Sequence, residues 1–258
     1  MQESDYETQS SESKPTPRWG LVATLLWSAL VASVFLVVQG LILAVIVADA
    51  HHGISRTRPE IVEQLRLAAI NGTIISYITC ATALVCTGLL VAIIKLKRGA
   101  MLRAYLCLKS VAIADVLKWS VLTAALIFIS DIITILRGRS IVPDFSRTAY
   151  TTADPIWLFW VAFVLAAPLS EEIFFRGFLF RGIETSALKP TGAIIVTAAL
   201  WTMLHIQYDA YILVSVFCSG LLLGAARVAT GSLLLPIGLH MFTNFVATSE
   251  VAVLQANS

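Results

Sequence analysis

Seven stretches of the chain are apolar over lengths that matter: Leu21 to Ala48, Gly72 to Ile94, Trp119 to Leu136, Pro155 to Phe175, Thr191 to Ile206, Ala210 to Val228 and Ser232 to Leu254. Within them the apolar residues are continuous, as in Leu41-Ile42-Leu43-Ala44-Val45-Ile46-Val47. Barrel strands alternate apolar and polar positions, so this pattern predicts helices. Runs near or above about 20 residues can cross a hydrocarbon layer of about 30 Å, and the shorter ones need tilt or a place inside a bundle. Lipid offers no partner to a free N–H or C=O, which leaves the helix as the spanning element. The expected fold is all-α, a polytopic transmembrane helix bundle of about seven spans.

Composition agrees with that class. Of 258 residues 58% are hydrophobic and 13% charged, and mean hydropathy is +0.84, values of a membrane-embedded chain whose environment is the lipid bilayer. The net charge of +2 and the lack of a basic face interleaved with aromatics argue against nucleic acid as a partner. Twelve of the 18 Lys and Arg residues fall on the side of the N-terminus. That bias predicts a multi-pass protein of the cell membrane with a cytoplasmic N-terminus and, with seven crossings, an outer C-terminus.

Three regions follow from the distribution of polar groups. Residues 1–20 are polar and acidic with a Ser-rich stretch, and read as a disordered cytoplasmic tail; the apolar run behind them starts too late and is too long for a cleavable signal. Residues 21–136 carry few intramembrane polar groups and read as a scaffold, with an interfacial helix near 101–118 where Leu102, Tyr105, Leu106, Ile113 and Val116 interleave with Arg103, Lys109 and Asp115. Residues 155–254 hold the charged and imidazole groups of interest. Cys80, Cys86, Cys107 and Cys218 form no C-x-x-C pair and read as small buried thiols.

Glu171 and Glu172 are adjacent carboxylates in an apolar stretch, with Arg176 one turn on. On a helix Glu172 and Arg176 are i,i+4 partners, while Glu171 is rotated by about 100° to another face. An ionised group in hydrocarbon costs several kcal/mol unless paired or hydrated, so the cluster implies either a wet interior site or a position at the interface. A carboxylate in a partly dry pocket suits a general base. If the chain turns near Leu188, Glu171 lies 17 residues before the turn and His205 lies 17 after it, which predicts one depth for both. His240 and Asn244 are again i,i+4 on the last run. Carboxylates and neutral imidazoles serve a zinc site or a metal-free water-activating site equally well, and H-E-x-x-H is absent.

The order Glu171-Glu172-x-x-x-Arg176, aromatic-x-x-x-His205, His240-x-x-x-Asn244 resembles the CPBP family of intramembrane proteases, also called Abi or CAAX proteases, which includes type II CAAX prenyl endopeptidases. The resemblance covers roughly the final 110 residues. It departs from the family pattern at Trp201, where Phe is usual, a position read here as packing. The resemblance implies that Glu171 activates water with His205, that Glu172 and Arg176 support the site, and that His240 and Asn244 stabilise the oxyanion. It implies either Zn2+ or another divalent metal on Glu171, His205 and His240, or no metal at all. The substrate would be a membrane-associated peptide or protein, prenylated or of the leader type. Oligomeric state is unspecified. Two rival readings are a non-catalytic scaffold or chaperone of the same fold and a proton- or ion-coupled transporter.

Several other groups carry simpler expectations. His51 and His52 fall in a polar stretch from Asp49 to Arg66, read as a solvated outer loop. Asp131 is expected to pair with Arg137. Gly220-x-x-x-Gly224 is expected to pack closely against another helix, and Pro236 to kink the last span.

Overall fold

A computed structural model describes residues 16–49 and 57–257, and every regular element among them is helical. In chain order these are α1 (Leu21–Asp49), α2 (Arg58–Ala68), α3 (Gly72–Leu96), α4 (Leu102–Tyr105), α5 (Ile113–Leu136), α6 (Asp144–Thr151), α7 (Ile156–Ile183), α8 (Lys189–Met203), α9 (Ala210–Thr230) and α10 (Leu234–Ala256). Six of them, α1, α3, α5, α7, α9 and α10, are long and apolar enough to cross a membrane. The remaining apolar run becomes α8, whose 15 residues rise only about 22 Å at 1.5 Å per residue. The chain is a helical membrane bundle with one short member.

α7 is the axis of the bundle. From Ile173 to Ile183 only Phe174 is not fully buried, the pattern of a helix covered on all sides. One side packs with Val31, Leu90, Ile93, Ile94 and Tyr105 through Phe178. The other packs with Trp201, Leu223 and Leu239 through Phe175 and Leu179. α7 is also irregular: Val161–Ala166 and Ile173–Leu179 are wound as π turns. The first of these precedes Pro168 directly. A helical proline clashes with the carbonyl four residues back and donates nothing; a wider turn relieves the clash and leaves one carbonyl without its helical donor.

Four expectations change in the structure. The segment from Met101 to Lys118 is not one interfacial helix. Leu102–Tyr105 forms a single turn, Cys107 takes a positive φ of 53° that ends it, and α5 begins at Ile113. The reason is burial: Tyr105 and Leu106 are inside the core, Arg181 of α7 donates to Tyr105 O at 3.0 Å, and Leu233 N–H donates to Cys107 O at 3.0 Å. The polar stretch before Arg66 is not all loop either. α2 starts where Thr57 N–H donates to Glu60 Oε2 at 2.7 Å, half of a capping box; His51 and His52 lie outside the described residues. Pro236 does not kink the last span, because α10 starts at Leu234 and a first-turn proline gives up no helical bond.

Asp131 makes no ion pair with Arg137 among the described residues; the Arg137 guanidinium lies 5.0 Å from the Tyr211 ring instead. Gly220 and Gly224 do pack closely. A Cβ at Gly220 would come 2.9 Å from Ala198 Cβ and 3.2 Å from Trp201 Cε3, and one at Gly224 would meet Ile194 at 3.0 Å. Replacing Gly220 by Val should therefore force α8 and α9 apart and cost about 1–3 kcal/mol. Denaturant unfolding of the detergent-solubilised protein measures this, and unchanged stability would contradict the close α8–α9 packing.

Candidate active site

Glu172 and Arg176, one turn apart on α7, are both completely buried, with Arg176 Nη1 donating to Glu172 Oε1 at 2.7 Å. Two charges inside a bundle persist only when each finds hydrogen-bonding partners. Arg176 Nη2 donates to Gly220 O on α9 at 3.1 Å, an approach that the missing Gly220 side chain permits, and its guanidinium lies 4.9 Å from the Trp201 ring of α8. Glu172 Oε1 also accepts His240 Nδ1–H from α10 at 3.0 Å. The i,i+4 pairing expected from spacing is thus present, as the knot that joins four helices.

Glu171 turns to a different face and stays partly open, its side chain 27% exposed against none for Glu172. Its Oε2 accepts the Trp201 indole N–H at 2.5 Å and lies 4.0 Å from His240 Nε2. The structure therefore brings Glu171, Glu172, Arg176 and His240 together. His205 is half-buried and lies past the end of α8. Its Nδ1–H donates to Trp201 O at 2.9 Å, since a carbonyl can only accept, so it joins Glu171 through Trp201 rather than directly. Equal depth for Glu171 and His205 follows only from uniform α-helix on both sides of the turn. The π winding of Ile173–Leu179 climbs less per residue, which sets Glu171 nearer the turn and opposite Trp201, one turn ahead of His205.

Asn244 is held by a consequence of Pro168. Ala167 N–H reaches back five residues to Ala162 O, and the next donor in that register would be residue 168, a proline without an N–H. Phe163 O is left over, and Asn244 Nδ2 donates to it at 2.8 Å. One N–H of that amide remains for another acceptor. Spacing could not reveal Phe163, although a proline inside an apolar helix is a signal that some carbonyl needs an outside donor. Trp201 was read as packing alone, and its hydrogen bond is a further function of that side chain. Tyr208 completes the surroundings, its ring stacked 6.2 Å from His205; burial raises its phenol above the ordinary range.

The donor chemistry suits a metal in one respect. Both imidazoles bond through Nδ1–H, which leaves Nε2 for ligation, the usual support of a metal-binding histidine. The positions do not suit one. Among the described residues no group of three or more His, Cys, Asp or Glu side chains is close enough to hold an ion. His240 Nε2 and Glu171 Oε2 stand 4.0 Å apart, where donors on one tetrahedral zinc would be about 3.4 Å apart, and Glu171 Oε2 already accepts the indole. As placed, Glu171, His205 and His240 do not fit a zinc shell.

Removing one side of the buried pair should be severe: Arg176→Met strands Glu172 and is expected to cost about 3–5 kcal/mol. The double variant Glu172→Gln with Arg176→Met should be less destabilised than Arg176→Met alone. Equilibrium unfolding in detergent checks this, and simple additivity would show that the pair is not coupled.

Comparison with known proteins converges on the same part of the chain. Residues 153–246 match the family model described as type II CAAX prenyl endopeptidase Rce1-like, a span that holds Glu171, Glu172, Arg176, His205, His240 and Asn244. A protein of Escherichia coli described as an uncharacterized 24.3 kDa protein is 37% identical over 91 residues, which cover 34% of this chain and 41% of that protein. The chain thus matches less than half of that relative's length. No solved structure matches it. Residues 153–246 of this multi-pass membrane protein thus match the Rce1-like type II CAAX prenyl endopeptidase family model, which supports the resemblance to the CPBP family of CAAX proteases.

Proposed function

We propose that the protein is an intramembrane endopeptidase that hydrolyses a peptide bond in a membrane-associated substrate, prenylated or of the leader type, by attack of a water activated by Glu171 and His205. The observation that carries this reading is the difference between two neighbouring carboxylates. Glu172 is committed to Arg176 and His240 in a dry interior, whereas Glu171 has one oxygen held by Trp201 and is partly open. A base needs that second condition: a free oxygen and access to water.

In this mechanism Glu171 Oε1 takes a proton from water while the oxygen attacks the scissile carbonyl carbon. His205, with Nδ1–H bonded to Trp201 O, offers Nε2 as a second acceptor. The carbonyl becomes an oxyanion, to which Asn244 presents its remaining N–H. His240 donates Nδ1–H to Glu172, so its Nε2 becomes a donor to the oxyanion only after receiving the proton that water gave up. The proton then passes to the amine as the C–N bond breaks. Preorganised donors of this kind are worth several kcal/mol in a water-poor site. No step uses a metal, and Glu171 Oε2 and His240 Nε2 stand 4.0 Å apart. The excess of Lys and Arg on one side supports a cytoplasmic N-terminus in the cell membrane.

A peptide bearing a farnesylated cysteine followed by two aliphatic residues and one further residue with a free C-terminus, with a fluorophore and quencher on either side of the cysteine, tests this with the purified protein. Wild type should release the C-terminal tripeptide, and Glu171→Gln should lower the rate by about 10²–10⁴-fold. Equal rates would remove Glu171 as the base. EDTA should leave the wild-type rate unchanged; a loss restored by Zn2+ would overturn the metal-free route.

A further inference from the structure

The side chain that contacts most of the site is not one of its ionisable groups. Trp201 donates its indole N–H to Glu171 Oε2 at 2.5 Å, and among the described residues no other hydrogen-bond donor to Glu171 is present. Its ring lies 4.9 Å from the Arg176 guanidinium and packs edge-on against both imidazoles, 4.9 Å from His205 and 5.0 Å from His240. Its main-chain carbonyl accepts the His205 Nδ1–H. The ring is buried against Leu223 and Leu239, and a tryptophan so enclosed has one orientation. We propose that Trp201 is the positioning residue of the water-activating carboxylate: the indole N–H fixes Glu171 Oε2, leaving Oε1 as the oxygen that faces water.

Three physical points carry this. First, a carboxylate beside an arginine and a histidine has an alternative to activating water, which is to turn inward and pair with them as Glu172 does. The indole N–H competes for Glu171 and holds it outward. Second, the donor is neutral. A lysine or arginine there would satisfy the same oxygen but would stabilise the ionised carboxylate further and make it a poorer proton acceptor. Third, the cation beneath the ring draws electron density from the indole and strengthens its N–H as a donor. Through its carbonyl the same residue sets His205 in the tautomer with Nε2 unprotonated, so both proposed acceptors of the water proton are oriented from one residue.

The inference rests on the reading of Glu171 as base, and the tests separate the two. With the farnesylated fluorogenic peptide, Trp201→Phe, which keeps the ring and loses the N–H, should lower kcat about 10–100-fold while KM stays within about twofold, the size expected for a lost hydrogen bond to a charged group. A residue that merely packs would show wild-type kcat after folding. A second measurement needs no substrate. In 15N-tryptophan-labelled protein in detergent, the indole 1H–15N resonance missing from Trp201→Phe, or from Trp201→Tyr should the first variant not fold, should move upfield in Glu171→Gln, because an amide oxygen is a weaker acceptor than a carboxylate. Full kcat in Trp201→Phe, or an indole resonance unmoved by Glu171→Gln, overturns the positioning role while leaving Glu171 as base. Undiminished cleavage by Glu171→Gln removes the base, and the assignment of Trp201 with it.

Discussion

The buried ion pair between Glu172 and Arg176 governs the architecture around it. Two full charges without solvent exposure repay their desolvation only if geometry is close and further polar groups are supplied. Each supplied group comes from a different element: Gly220 O from α9, His240 Nδ1–H from α10 and the Trp201 ring from α8. The pair therefore fixes three helices against the axial one. It also explains small details, such as why a glycine sits where α8 and α9 touch. A larger residue at Gly220 would hold α9 away, and the guanidinium could no longer reach the carbonyl.

That same pair accounts for the different environments of adjacent glutamates. A rotation of about 100° per residue turns one carboxylate into the knot and the other toward its open edge. If both were buried, two like charges would share one arginine, and neither would accept a proton from water at a useful moment. If both were open, the arginine would be left unpaired inside the bundle. The sequence Glu-Glu followed by Arg one turn later satisfies both requirements with a single helix.

Much of this was legible in the chain. Continuous apolar runs identify the long helices because a membrane leaves the backbone no other choice, and i,i+4 spacing identifies the Glu172–Arg176 pair because helical neighbours are fixed by geometry. What escaped depends on departures from ideal helix. The π turns of α7 shift Glu171 to the level of Trp201 rather than His205, and no periodicity argument registers a change in rise per residue. The turn from Met101 to Ala112 reads as amphipathic, yet its apolar side chains are claimed by the core and its carbonyls by Arg181 and Leu233. The bond from Asn244 to Phe163 O arises from a missing donor at Pro168, a feature visible in sequence only when every backbone group of a helix is accounted for.

The shortness of α8 ties these irregularities to chemistry. A helix rising about 22 Å is shorter than about 30 Å of hydrocarbon, and the chain leaves helical form at Leu204 to Asp209. Here the turn carries His205, Gln207, Tyr208 and Asp209, and Asp209 caps the next helix by accepting Ile212 N–H at 3.0 Å. That bond, before the neighbouring Arg139, is the main reason its carboxyl lies below the ordinary range. A polar, partly exposed turn thus follows the truncated helix directly beyond Trp201, the residue that donates to Glu171 Oε2. In the proposed hydrolysis the partial exposure of Glu171 supplies access to water and the knot at Glu172 supplies rigidity, which are the two conditions that Glu171 needs in order to act as a base.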